Sequence, residues 1–172
     1  MSRLRRIADR DRIFFVTTNL ARLAPTLSSS ERDLVLRHLQ RRRMQGDFLL
    51  FGYVVMPRHL HLLLMPHGRG LAATMHALKR LTAADLSRIR GARGPIWQAR
   101  YFDFVLRRVQ DFWQKLEYIH QNPVVAGLVK QPDKWHWSSA AQYAQSGVSS
   151  VAVDAVNFPA DRNAFLWPAP WR

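Results

Sequence analysis

Hydrophobic and polar positions change their period several times along the chain, and each change marks an element. Positions 12–20 (RIFFVTTNL) are rich in β-branched and aromatic residues and predict a strand, ended by Pro25 and the Ser28-Ser29-Ser30 cluster. Ser28 and Glu31 have the spacing of a capping box and open a helix to about residue 44, with Leu34, Val35 and Leu39 on one side and arginines on the other. Gly46-Asp47 predicts a turn into a second strand over 48–56. Pro57-Arg58 breaks that strand, and a third follows over 59–65; so short a connection makes the two an antiparallel hairpin. Leu71, Met75, Leu78, Thr82, Asp85 or Leu86, and Ile89 recur at helical spacing and predict a helix over 70–90. A Gly/Arg loop leads to a fourth strand over 101–107. From Val109 a helix runs through Phe112, Leu116 and Ile119 to about residue 121. Pro123 is expected to disturb it, leaving a shorter helical piece that ends near Gly127. After Gly147 the pattern dissolves.

The order β-α-β-β-α-β-α predicts an α+β domain of ferredoxin-like type: an antiparallel sheet with helices on one face, plus a C-terminal helix. The division expected is one domain over 1–145 and an irregular tail over 146–172. A fold of this kind serves many functions and decides none.

Charge sharpens the picture. Lys+Arg is 26 against Asp+Glu 12, a net charge of +14, and only Lys79, Lys115, Lys130 and Lys134 are lysine. Such an excess suits a polyanion, because cations placed on phosphates release condensed counterions. Nucleic acid is favoured over an anionic membrane surface, which would call for a basic amphipathic helix without a catalytic constellation. With Cys 0, disulfide and thiolate chemistry are excluded, and any metal must be held by nitrogen and oxygen. The basic N-terminus runs into Asp9 to Arg12 where a signal peptide needs an apolar stretch, and no apolar run is long enough to span a bilayer. The expectation is a cytoplasmic protein.

Candidate chemistry lies in two places. In a strand, residues i and i+2 face the same way, so His59 and His61 project together while Leu60, Leu62 and Leu64 point to the other side. Two imidazoles on one strand face can clasp a divalent cation, although His-x-His also occurs as ordinary half-buried histidines. On the last helix, Tyr118 and Asn122 lie one turn apart, so a nucleophile and a carbonyl ligand could reach one metal. A tyrosine phenolate can attack a phosphodiester and keep the bond energy in a phosphotyrosine. The bland alternatives are a packing tyrosine with a surface hydroxyl, and an Asn-Pro that caps a new helix.

The stretches VVMPRHLHLLLMP and KLEYIHQNPVVAGLV resemble the two signatures of the single-tyrosine HUH transposases, in particular the REP-associated tyrosine transposase group. IWQARYFDFVLR and WHWSSAAQY resemble that group's intervening and trailing segments, so the likeness runs over roughly 10–145 with the motifs in the same order. The resemblance implies His59, His61 and Asn122 as ligands of Mg²⁺ or Mn²⁺, and Tyr118 as the catalytic nucleophile. It also implies single-stranded DNA with a hairpin (an imperfect palindrome) as substrate, cut to a 5′-phosphotyrosine and a free 3′-hydroxyl. The expected partner is that DNA, no membrane, with the protein a monomer or homodimer.

Lys79, Arg80, Arg100, Arg107 and Arg108 are candidates for phosphate contacts, each equally readable as a solvated charge. His120 is two positions from Tyr118, on another helix face, which favours packing over catalysis. Trp97, Trp135 and Trp137 could stack bases, against the commoner fate of packing. The rival reading is a non-catalytic ferredoxin-like RNA- or DNA-binding module. Such modules present aromatic pairs on the open sheet face, whereas the pair seen here is histidine.

Overall fold

The four runs of alternating or continuous apolar residues form β1 (Phe14–Asn19), β2 (Phe48–Val55), β3 (His59–Pro66) and β4 (Phe102–Val105). They make one antiparallel sheet in the order β2-β3-β1-β4, which is ferredoxin-like. The computed structural model describes residues 12–91 and 93–166; the basic N-terminal stretch and the end of the tail lie outside them.

Helices α1 (Ser29–Met44) and α2 (Gly70–Arg90) cover one face. Leu60, Leu62 and Leu64 of β3 and Phe14 and Val16 of β1 meet Leu34, Val35, Leu39, Met75 and Leu78 there. The capping box forms as the spacing predicts: the Glu31 amide donates to Ser28 Oγ and the Ser28 amide to Glu31 Oε2. The Arg90 guanidinium, at the end of α2, closes on the same Glu31 carboxylate and ties the two helices together.

Helix α3 (Val109–Val125) lies on the other face, with Phe112, Leu116 and Ile119 packed on Phe15, Phe51, Val54 and Leu63. Both faces of β2 and β3 are therefore buried, which explains why these strands read as almost unbroken apolar runs. The sheet irregularity at Phe51, between Leu50 and Gly52, lets this approach be close. A Cβ added at Gly52 would sit 2.6 Å from Leu116 Cδ1, so the glycine sets how near α3 can come.

Two expectations are corrected. Helix α3 does not break at Pro123 but runs through it to Val125 and ends at Gly127, whose φ is +70°. Proline lacks only its own donor, and the following turn is held by Leu128 N–H donating to Pro123 O at 2.9 Å. Asn122 is consequently inside the helix and caps nothing.

The segment beyond 145 is irregular in backbone yet docked. Val151 and Val153 enter the core under α1 and α2, while Leu166 enters the one under α3. Asp154 receives the Leu50 amide and the Arg43 guanidinium, and its own amide donates to Leu50 O. With Trp137 and Ser139 hydrogen-bonded to Val55 and Tyr53, this covers the β2 edge, which would otherwise offer unpaired backbone groups. Farther on, the chain meets the start of α3 through Val109 N–H to Ala164 O and Gln110 N–H to Arg162 O. Among the described residues no helix is long and apolar enough to cross a membrane.

Candidate active site

Strand β3 starts immediately after the Pro57-Arg58 turn, and that turn is clamped. The Met56 amide donates to His59 O, and the Arg58 guanidinium donates to the carbonyls of Ala21, Arg22 and Ala24. The first and third residues of the strand are thereby fixed in register, His59 opposite Asn19 and His61 opposite Thr17. Their rings lie 4.6 Å apart by centroids on the face that α3 covers. His61 is almost wholly buried, stacked on Phe15 with ring centroids 5.4 Å apart.

Helix α3 brings the second motif to this pair. Its apolar stripe through Phe112, Leu116 and Ile119 faces the sheet, which leaves Lys115, Tyr118 and Asn122 on the adjoining stripe. Asn122 Oδ1 is 3.1 Å from His59 Nε2, and Asn122 Nδ2 is 3.3 Å from His61 Nε2. Three side chains from motifs some sixty positions apart thus converge through one amide. The far nitrogen of His61 is 2.8 Å from the Thr17 hydroxyl, which fits an Nδ1–H tautomer whose Nε2 lone pair faces Asn122. Thr17 carries no motif signal. Only the strand register, which sets it opposite His61, identifies it.

Tyr118 stands beside this cluster. Its ring meets His61 edge-on at 5.3 Å and Phe15 at 5.8 Å, yet it is 51% exposed. A buried packing tyrosine would have lost its hydroxyl to a protein partner; this one keeps a face open to solvent. Lys115, one turn earlier, sets its ammonium 6.0 Å from the Tyr118 ring.

Electrostatics keep the cluster neutral. Burial lowers the pKa of His59, against a hydrogen bond it donates to Asn122 Oδ1, which acts the other way. Burial, then the neighbouring His59 and Lys115, push His61 down to about 3. Neutral imidazole is the form that binds metal. Two such nitrogens, with the Asn122 amide between them, are donors of a kind that a divalent cation can use. Among the described residues no group of three His, Cys, Asp or Glu side chains could hold a metal. A third donor beside the two histidines is counted only if the Asn122 amide is admitted as a ligand.

The remaining candidates separate. Lys79 donates to Gln98 O at 2.6 Å and Ala99 O at 2.9 Å, holding the loop before β4. Arg80, Arg100, Arg107 and Arg108 are exposed. Arg100 lies at the end of the sheet where β3 begins, since Gln98 N–H donates to Asn19 O and Phe102 pairs with Thr17. Arg107 and Arg108 lie at the opposite end, where Arg108 covers the Phe165 ring. The three tryptophans pack, as the commoner reading has it: the indole N–H groups of Trp97, Trp135 and Trp137 donate to Thr82, Val55 O and Asp33. His120 points away from the cluster to Ser139 Oγ at 2.9 Å and meets the Tyr143 ring at a tilt, 5.3 Å between centroids, anchoring α3 to the segment that guards β2.

His120 and His61 have a shared consequence for stability. Burial holds His120 down to about 4 and His61 down to about 3, both below the ordinary histidine value. The unfolded chain then takes up protons that the folded chain refuses, so stability is full above about pH 6.5 and falls as pH drops toward 4. At about 1.4 kcal/mol per pKa unit, the loss is on the order of several kcal/mol. Denaturant melts at pH 7, 5.5 and 4.5 should show a falling midpoint, partly flattened in His120→Gln. Identical midpoints at all three pH values would mean that these imidazoles are solvated.

No family model matches the chain. Over 164 residues it is 25% identical to a REP-associated tyrosine transposase of Escherichia coli (strain K12), an alignment spanning 93% of this chain and 96% of that protein. Its fold matches the structure of a REP-associated tyrosine transposase bound to a REP hairpin with a TM-score of 0.69, at 24% identity, over 93% of this chain and 96% of the other. Along nearly its whole length, then, the protein is similar in sequence to a REP-associated tyrosine transposase, and its paired-histidine strand and tyrosine helix meet at Asn122.

Proposed function

We propose that this protein nicks and rejoins single-stranded DNA at hairpin-forming repeats through a 5′-phosphotyrosine at Tyr118, with His59, His61 and Asn122 holding a divalent cation. The observation that supports this most is the meeting of the paired-histidine strand and the tyrosine helix through one Asn122 amide. The similarity to a transposase over 93% of the chain supports the reaction class.

In this reading Tyr118 Oη attacks the phosphorus of one phosphodiester. The new O–P bond forms as the bond to the 3′-oxygen breaks. The phenolic proton goes to solvent, and the departing 3′-oxygen takes one from it. Attack by a 3′-hydroxyl on the phosphotyrosine reverses the step and joins strands. The cation, when bound, polarises a phosphoryl oxygen and helps orient the scissile phosphate. Thr17 fixes the ring of His61, and the helix fixes the distance between Tyr118 and Asn122 at one turn. The half-exposed ring of Tyr118 suits an unpaired strand laid across the site.

The direct test is incubation with a single-stranded hairpin and Mn²⁺, scored for a protein–DNA adduct that survives denaturation. Binding without any adduct would move the protein to the non-catalytic class. Affinity should also fall steeply with salt. If about six to ten phosphates are neutralised, the loss between about 50 and 200 mM salt is roughly a thousandfold or more. A hairpin with single-stranded flanks should bind more tightly than a duplex of equal length. Equal affinity for both, or a flat salt response, would count against a hairpin-processing enzyme.

A further inference from the structure

On the face that α3 covers, β4 is left open. Its register places Phe102 opposite Thr17 and Phe104 opposite Phe15, so both rings share the face of His61 and Tyr118, while Asp103 points to the other side. Helix α3 sits over β2 and β3 and leaves both rings largely uncovered: Phe102 is 57% exposed and Phe104 41%. Large apolar side chains are an unusual choice for an open edge strand, where charge or proline ordinarily discourages pairing. Phe102 is nonetheless held in the site's aromatic cluster, at 6.4 Å from the Phe15 ring, which itself touches both His61 and Tyr118.

Lys115 completes the feature. Its ammonium lies 4.9 Å from the Phe15 ring, 5.4 Å from Phe104 and 6.0 Å from Tyr118, and it makes no ion pair among the described residues. A cation without a carboxylate, set between exposed rings and a tyrosine nucleophile, matches a ligand that alternates flat π surfaces with negative charge. Unpaired nucleotides have that chemistry. A duplex does not offer it, because its bases are stacked on one another and show only their edges.

We propose that Phe102, Phe104 and Lys115 form a docking strip for the unpaired nucleotides next to the cut. The two rings stack on bases, and Lys115 holds the phosphate that approaches Tyr118. The inference rests on the nicking reading for its placement beside the scissile bond, and it adds a subsite for the single-stranded flank. The strip reads stacking rather than base edges, so it tolerates different bases and leaves the choice of repeat to the hairpin.

The test measures binding with chelator present, so that no cutting intervenes. Three DNAs are compared: a flanked hairpin, the bare hairpin, and flanked hairpins with one abasic position at a time. Both rings are exposed, so Phe102→Leu/Phe104→Leu should keep its melting temperature. It should weaken the flanked hairpin by roughly tenfold or more and leave the bare hairpin unchanged. One or two abasic positions should cost the wild type a similar factor and the double variant almost nothing. Phe102→Trp/Phe104→Trp should restore binding, and Lys115→Met should lower the salt slope by about one phosphate's worth. Abasic losses of equal size in wild type and double variant would overturn the proposal. So would a change in oligomeric state with unchanged DNA affinity, since the strip would then be a contact between copies of the chain. Adduct formation by the wild type is scored separately with Mn²⁺. Its failure with this coupling intact would remove the nicking reading and leave a single-strand binding strip.

Discussion

Tyr118→Phe should form no covalent adduct with a flanked hairpin while binding it about as well as the wild type. The substitution removes one oxygen. The ring stays, with its edge-on contacts to His61 at 5.3 Å and Phe15 at 5.8 Å. No hydrogen bond to the hydroxyl links Tyr118 to the described residues, and the ring is half exposed, so folding should change by only a few tenths of a kcal/mol. Loss of an enzymic nucleophile lowers rates by on the order of 10⁴-fold or more, and with no phenolic oxygen there is no acceptor for the phosphoryl group. Denaturing electrophoresis with labelled DNA and Mn²⁺ reads the adduct; a salt-matched titration reads binding. An adduct formed by the Phe variant at the wild-type rate would place the nucleophile elsewhere. Tyr53 and Tyr143 make poor substitutes, since burial raises both to about 12 and their hydroxyls are bonded within the fold.

The elements that form this site were legible for local reasons. The capping box at Ser28 and Glu31, the Pro57-Arg58 break and the helical spacing over 70–90 are signals confined to a few residues, and each reappears in the structure. His59 and His61 share a face because strand geometry allows nothing else. What stayed hidden depends on contacts distant in sequence. That Asn122 reaches both histidines requires α3 to cross the sheet at one height, and that height is set by the packing of Leu116 over Gly52. Local propensity misled at Pro123. Sequence reasoning ends a helix at proline, but here tertiary packing of the buried proline and its neighbours carries the helix on to Val125. Thr17 carried no motif, and Lys115, Phe102 and Phe104 lay inside the quoted stretches without being singled out for any role. Their roles follow from register and exposure, which no single-chain pattern specifies. The segment after Gly147 looked irregular and is so, yet Val151, Val153 and Leu166 fill the core, because burial does not require regular backbone.

Losing His59 or His61 should end metal-dependent nicking and leave DNA binding in place. With Asn122 they supply the donors proposed for the cation, and all three are neutral. The charge of the site must then come from the cation and the phosphate together, so removing one donor from a set of three leaves little to fix the geometry. A loss of about a hundredfold or more in Mn²⁺-dependent rate is expected for His59→Ala, the safer variant because His59 is only half buried. His61→Ala also removes a buried ring stacked on Phe15 and strands the Thr17 hydroxyl, so its melting temperature should fall as well. Two milder changes separate metal binding from folding. Thr17→Val leaves every donor in place but frees the His61 ring, and should weaken Mn²⁺ by about ten- to a hundredfold. Asn122→Asp keeps an oxygen where the amide oxygen was and adds charge, and should tighten Mn²⁺ binding. Calorimetric titration of Mn²⁺ and adduct yield, measured on the same preparations, decide between the outcomes. If folded His59→Ala cuts at the wild-type rate in Mg²⁺, and Thr17→Val and Asn122→Asp bind Mn²⁺ as the wild type does, the meeting point of the two motifs holds no metal. The hydrogen bonds among His59, His61 and Asn122 would then serve only to dock α3 on the sheet.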